Sequence, residues 1–176
     1  MNIFYDMGCP DSRDAYYLWK SLLPQDSHIA GKKYSDLINM RVSSFVLPYH
    51  IHSWAATKVL PYLQDLCAQD STKCFMNTYS ELCWDHWNTT LGDKDLSQND
   101  FVTTWSGMIN AKIPEISAQE IQQLFSTSDT HNVEVRSRYI WKYAASNRIA
   151  GAPQVYINGV KLDEYPMEEV DWKQLL

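Results

Sequence analysis

The sequence predicts an α/β fold interrupted by an all-helical insertion. Three observations point to it. The chain opens as strand, helix, strand; its middle carries only helical periodicity; its end returns to helix, two strands and a helix. The 176 residues, 45% apolar with seven Trp and eleven Tyr, suit one domain or one domain with a large insertion.

Ile3-Phe4-Tyr5-Asp6 reads as a short buried strand. Arg13 to Leu23 follows as an amphipathic helix, with Ala15, Leu18, Trp19, Leu22 and Leu23 on one stripe and Pro24 at its end. Gly31-Lys32-Lys33 reads as a surface loop. Arg41 to Leu47 reads as the second strand, stopped by Pro48. Strand, helix and strand in this order make a right-handed crossover between parallel strands.

From Ser53 to Ser126 every stripe has helical spacing. The first joins Ala56, Val59, Leu60, Leu63 and Cys67, and Pro61 is expected to kink that helix or start another. The second joins Phe75, Tyr79, Leu82, Cys83, His86 and Trp87, which makes His86 a packed core histidine. The third joins Phe101, Trp105, Met108 and Ile109. Ser117 and Glu120 have capping-box spacing and open a short helix with Ile121, Leu124 and Phe125. These helices are expected to form an insertion with its own small core. The division is residues 1–52 and 132–176 for the α/β part and 53–131 for the insertion. Val133 to Asn147 is the next helix, with Arg136, Tyr139, Ile140, Tyr143 and Ala144 on one side. Asn158-Gly159 between Gln154–Ile157 and Val160–Leu162 is a strong hairpin signal. Pro166 to Leu176 supplies a last short helix.

A net charge of −6, with the 15 Lys and Arg scattered, argues against nucleic acid as a partner. No run is long and apolar enough to span a membrane. Met1-Asn2 leads straight into the first strand with no signal peptide, a start that fits a trimmed secreted domain or a cytosolic protein. Cys9, Cys67, Cys74 and Cys83 lack the spacing of a zinc site, so no metal is expected. Two readings remain: four free thiols in a reducing compartment, or a Cys67–Cys74 disulfide across a helix–helix loop with Cys83 buried on a helix face. Asn88-Thr89-Thr90 is a glycosylation sequon, which makes Asn88 a candidate acceptor.

The chemistry is expected at Cys9-Pro10-Asp11-Ser12. A cysteine between a strand and the first turn of a helix lies near unpaired N–H groups, which favour thiolate. Pro10 suits an early helical position. Asp11 opposes thiolate formation and Arg13 favours it, so a moderately lowered thiol pKa is expected. Ser12 stands where a dithiol site has its second cysteine, so the site has one sulfur; its hydroxyl can cap the helix and donate to the Cys9 thiolate. Two parallel strands end on one edge of a sheet, which brings Tyr49, His50 and His52 to the Cys9 side. His50 is then a base or thiolate partner, or equally a loop histidine in contact with solvent. Tyr156 and Trp54 are candidates to line the cleft or to join the core.

Cys9-Pro10 at a helix start, with Gly151-Ala152-Pro153 entering a hairpin, resembles the thioredoxin fold. The helical insertion resembles the DsbA-like branch. Cys9-Pro10-Asp11-Ser12-Arg13-Asp14, with Leu47-Pro48-Tyr49-His50, is similar to a group of eukaryotic thioredoxin-like proteins of the secretory pathway. The resemblance implies that Pro153 is cis and faces Cys9. It implies that Ala152, with Pro10 and Asp11, offers groups to an extended peptide or to glutathione. It further implies a monothiol thiol–disulfide oxidoreductase, isomerase or deglutathionylating protein, in which Cys9, Ser12 and His50 do the chemistry. The partners would be protein thiols and disulfides, or glutathione as a co-substrate, with no resident cofactor. The alternatives are a redox-inactive peptide-binding module of chaperone type and a glutathione transferase of the kappa type, in which Ser12 holds the glutathione thiolate. The expected setting is a monomer in the ER lumen or secreted, with the cytoplasm as the alternative.

Overall fold

The computed structural model describes residues 1–176. Four strands form one sheet: β1 (Asn2–Tyr5), β2 (Arg41–Ser44), β3 (Gln154–Ile157) and β4 (Val160–Lys161), in the order β2-β1-β3-β4. β1 runs parallel to β2 and antiparallel to β3, which pairs antiparallel with β4. Asn158 and Gly159 close that hairpin with φ of 50° and 86°, the left-handed pair that a two-residue turn requires.

Alternation along β1 sets the two layers. Ile3 and Tyr5 face a large core, while Phe4 faces a smaller one on the other side. On the Ile3 side, α1 (Pro10–Leu22) and α8 (Glu169–Leu175) meet through Trp19 and Trp172, whose rings lie 4.6 Å apart. The Trp19 indole donates to the Tyr165 hydroxyl at 2.6 Å. On the Phe4 side lies α7 (Val133–Ser146). α7 turns Val133, Ser137 and Ala144 inward; of the side expected, Ala144 is buried while Tyr139 and Tyr143 are exposed. Small side chains let this helix lie close to the sheet. Arg136 instead reaches sideways and donates to Asp65 at 2.7 Å.

Between β2 and α7 run α3 (Ser53–Gln69), a single 3-10 turn (Ser71–Lys73), α4 (Met76–Asp85), α5 (Gln98–Lys112) and α6 (Ala118–Gln123). α3 passes through Pro61, which is buried within it, and no new helix starts there. α6 opens on the capping box: Ser117 Oγ accepts from the Glu120 N–H, and Glu120 accepts from the Ser117 N–H at 2.8 Å. His86 is not a core residue. α4 ends at Asp85, so His86 leaves the stripe, stays half-buried, and its Nδ1 lies 3.2 Å from Thr89 Oγ1.

The insertion has no core of its own. One cluster of 28 buried residues joins Ile3, Trp19, Val155 and Trp172 to Leu63, Tyr79, Trp84, Phe101, Trp105 and Ile121. The reason is geometric: Trp84 leans on the sheet side, edge to face with Tyr5 at 5.8 Å.

Two elements differ in extent. A short helix α2 (Tyr34–Leu37) follows the Gly31 loop, with Asp36 accepting from the Lys33 N–H at 2.9 Å. β2 stops at Ser44 instead of Leu47. Phe45 still donates to the Tyr5 carbonyl, but the Leu47 N–H turns to the Asp6 side chain at 2.8 Å.

Cys67 and Cys74 form a disulfide where α3 hands over to α4, and Cys83 is a free, fully buried thiol. The bridge joins residues seven apart. Loop-closure entropy gives such a bridge about 2 kcal/mol. Cys74→Ser should therefore lower urea stability by about that amount in non-reducing buffer. The difference should vanish in reductant; equal stabilities without reductant would refute it.

Candidate active site

Cys9 occupies the N-cap of α1 with extended backbone (φ −94°, ψ 124°). The Asp6 carbonyl accepts its N–H at 3.1 Å. Its side chain is 3% exposed, packed among Phe4, Phe45, Leu47, Ala144 and Ile149. The thiol donates to the Ala152 carbonyl at 3.4 Å. The Ala152–Pro153 bond is cis, and both residues are half-buried at the entry to β3.

Burial decides the charge state. It raises the Cys9 pKa, and the carboxylate of Asp11 adds to the rise. The N–H and hydroxyl of Ser12 and the N–H of Asp11 pull the other way without overcoming it. The expected lowering is thus reversed, because the strand and α7 close over the sulfur. Arg13 does not help the thiolate: it pairs with Asp14 at 2.8 Å and lies over the Trp87 ring.

Ser12 is fully buried, and its Oγ accepts from the Asp6 N–H at 3.1 Å. Pro10 is half-buried and Asp11 exposed at the start of α1. His50 lies on the Cys9 side, with its Nδ1 2.7 Å from Asp6 Oδ2. His52 does not. It is buried against the insertion, stacked on Phe101 at 4.3 Å, and its Nε2 meets the Asp93 carbonyl. Tyr156 packs against the Cys9 cluster and donates to the Asn147 carbonyl. Trp54 sits elsewhere, donating to Glu134 at 3.3 Å. Asn88 is exposed in the turn between α4 and α5.

The sequence reading missed Asp6. This carboxylate is 0% exposed, accepts from the Gly8 and Leu47 N–H groups and from the Ser53 hydroxyl, and lies within hydrogen-bond distance of His50 Nδ1. The available signal was an acidic residue ending an apolar strand three positions before the cysteine.

No family model matches the chain, and no curated protein matches it. Among solved structures it is similar to a Pseudomonas syringae protein described as a candidate protein-disulfide isomerase. That likeness has a TM-score of 0.63 at 21% identity and covers 98% of this chain and 90% of the other. Sheet order, inserted helices and a likeness over both whole chains agree: the protein has the thioredoxin-like fold in its DsbA-like form.

Proposed function

We propose that the protein carries out thiol–disulfide exchange through Cys9, with a single sulfur in the motif. The observation that carries this is the contact of the Cys9 thiol with the Ala152 carbonyl at 3.4 Å. It puts the nucleophile beside backbone that can pair with an extended peptide. The description of the Pseudomonas syringae neighbour as a disulfide isomerase supports the same chemistry. Cys9 attacks an external disulfide, forms a mixed disulfide and expels one thiol; a second external thiol, such as glutathione, then releases the enzyme. Ser12 supports the sulfur and does not resolve the adduct. We place the protein in the secretory pathway, in keeping with the similarity of its Cys9 motif, the exposed sequon at Asn88 and a disulfide outside the site.

A second reading is a peptide-binding module without turnover, favoured by the burial of Cys9. Against the transferase alternative stands the burial of Ser12, which keeps its hydroxyl from an external thiolate.

Glutathione disulfide and intact mass decide between the first two. The wild type should gain one glutathionyl group on Cys9, and Cys9→Ser should gain none. The rate should rise with pH through neutrality. The sign follows from burial: the sulfur holds its proton more tightly and attacks only as that proton leaves. Absence of an adduct from a protein that still binds unfolded peptide would establish the binding module.

A further inference from the structure

We propose that Asp6 is a positioning residue: it holds His50 by the Nδ1 proton next to Gly8, the residue before Cys9, leaving Nε2 as the open nitrogen that takes the Cys9 proton. The inference rests on the exchange reading above.

The geometry fixes the tautomer. Oδ1 of Asp6 accepts from the Gly8 N–H at 3.0 Å and from the Ser53 hydroxyl. Oδ2 accepts from the Leu47 N–H at 2.8 Å. Backbone donors thus occupy both oxygens, and a carboxylate has no proton of its own to offer. With Asp6 as the acceptor, the donor at the 2.7 Å contact is His50 Nδ1–H. In a neutral imidazole the other nitrogen is then the acceptor. Nε2 has no protein partner, and the His50 side chain is 20% exposed.

Placement follows from Gly8. A Cβ there would stand 3.1 Å from His50 Cβ and 3.2 Å from Ser53 Cβ. A side chain there would force His50 or Ser53 to give by a few tenths of an ångström, so His50 packs directly on the residue preceding Cys9. The segment from Asp6 to Cys9 and the start of α3 are thereby locked into one unit.

The step balances without any further reactant. The Cys9 S–H proton passes to His50 Nε2 as the sulfur attacks an external disulfide. The new S–S bond forms, the old one breaks, and the imidazolium returns the proton to the leaving thiolate. The Cys9 sulfur is oxidised and one sulfur of the incoming disulfide is reduced. A thiol that rests as a donor to the Ala152 carbonyl needs such an acceptor before it can attack.

The test uses the full chain and two readouts. Histidine 15N resonances report which ring nitrogen is protonated. The rate of glutathione adduct formation at Cys9 reports the chemistry. His50 should show a protonated Nδ1 in wild type and a protonated Nε2 in Asp6→Asn, where an amide N–H faces the ring. Asp6→Asn and His50→Gln should each slow adduct formation about 100-fold, and the double variant should be no slower than either. His50→Gln keeps the other three bonds of Asp6, so a folding failure of Asp6→Asn does not decide the matter. An unprotonated Nδ1 in wild type, or a wild-type rate in His50→Gln, overturns the proposal while Cys9 still exchanges. A wild-type Cys9 that forms no adduct defeats the exchange reading first and this inference with it.

Discussion

Ser12→Cys should turn a slow, externally released site into a self-resolving one. Under the proposed exchange, the mixed disulfide on Cys9 waits for a free thiol in the wild type, because the neighbouring hydroxyl cannot attack sulfur. A cysteine one helical turn away attacks intramolecularly, and effective concentrations for well-placed groups are very large. Release from a glutathionylated Cys9 should accelerate by about 100-fold or more and lose its dependence on added glutathione. The gain has a structural cost. Ser12 Oγ accepts the buried Asp6 N–H, and a thiol accepts weakly, so the variant should lose about 1 kcal/mol of stability. Quenched-flow mass spectrometry of the adduct measures the first effect and urea unfolding the second. Unchanged, glutathione-limited release would show that position 12 cannot approach Cys9 within bonding distance.

Trp105→Ala should destabilise the whole protein by about 3–5 kcal/mol, a large part of the 5–15 kcal/mol typical of a domain. Trp105 is fully buried in α5, stacks on Phe101 at 5.6 Å and donates to the Tyr79 hydroxyl at 3.1 Å. That hydroxyl in turn donates to the Ala56 carbonyl at 2.6 Å, so removing the indole opens a cavity and breaks a relay. The same core reaches Ile3 and Val155 on the sheet, with Trp19 of α1 and Trp172 of α8. Unfolding should therefore remain one transition, with insertion and sheet lost together. Two separated transitions, the helical one shifted and the other unmoved, would mean that the cores are independent after all.

The fold was legible where periodicity is local. β1, the Asn158-Gly159 hairpin, the α5 stripe through Phe101, Trp105 and Ile109, and the Ser117–Glu120 cap all follow from neighbours a few residues away. The position of Cys9 at a helix start was legible for the same reason. What failed depended on distant chain. Asp6 acquires its role from Leu47, His50 and Ser53, more than forty positions on. The charge state of Cys9 is set by Phe45, Ala144 and Ile149, which no local pattern ties to it. His52 belongs to the insertion because Phe101 and the Asp93 carbonyl take it there. The merger of the two cores depends on where Trp84 leans, and helical spacing is silent on that.

The sheet order β2-β1-β3-β4 also bears on how the protein behaves in a crowd of unfolded chains. A sheet margin is a template on which foreign strands can grow. Here one margin is the four-residue β2 and the other the two-residue β4, and each carries a cationic side chain, Arg41 and Lys161. Four residues give a stray strand only a few rungs, and two give almost none. The central strands, which carry the strongest β-formers, have both flanks occupied. The architecture therefore leaves a stray strand little ladder on which to grow.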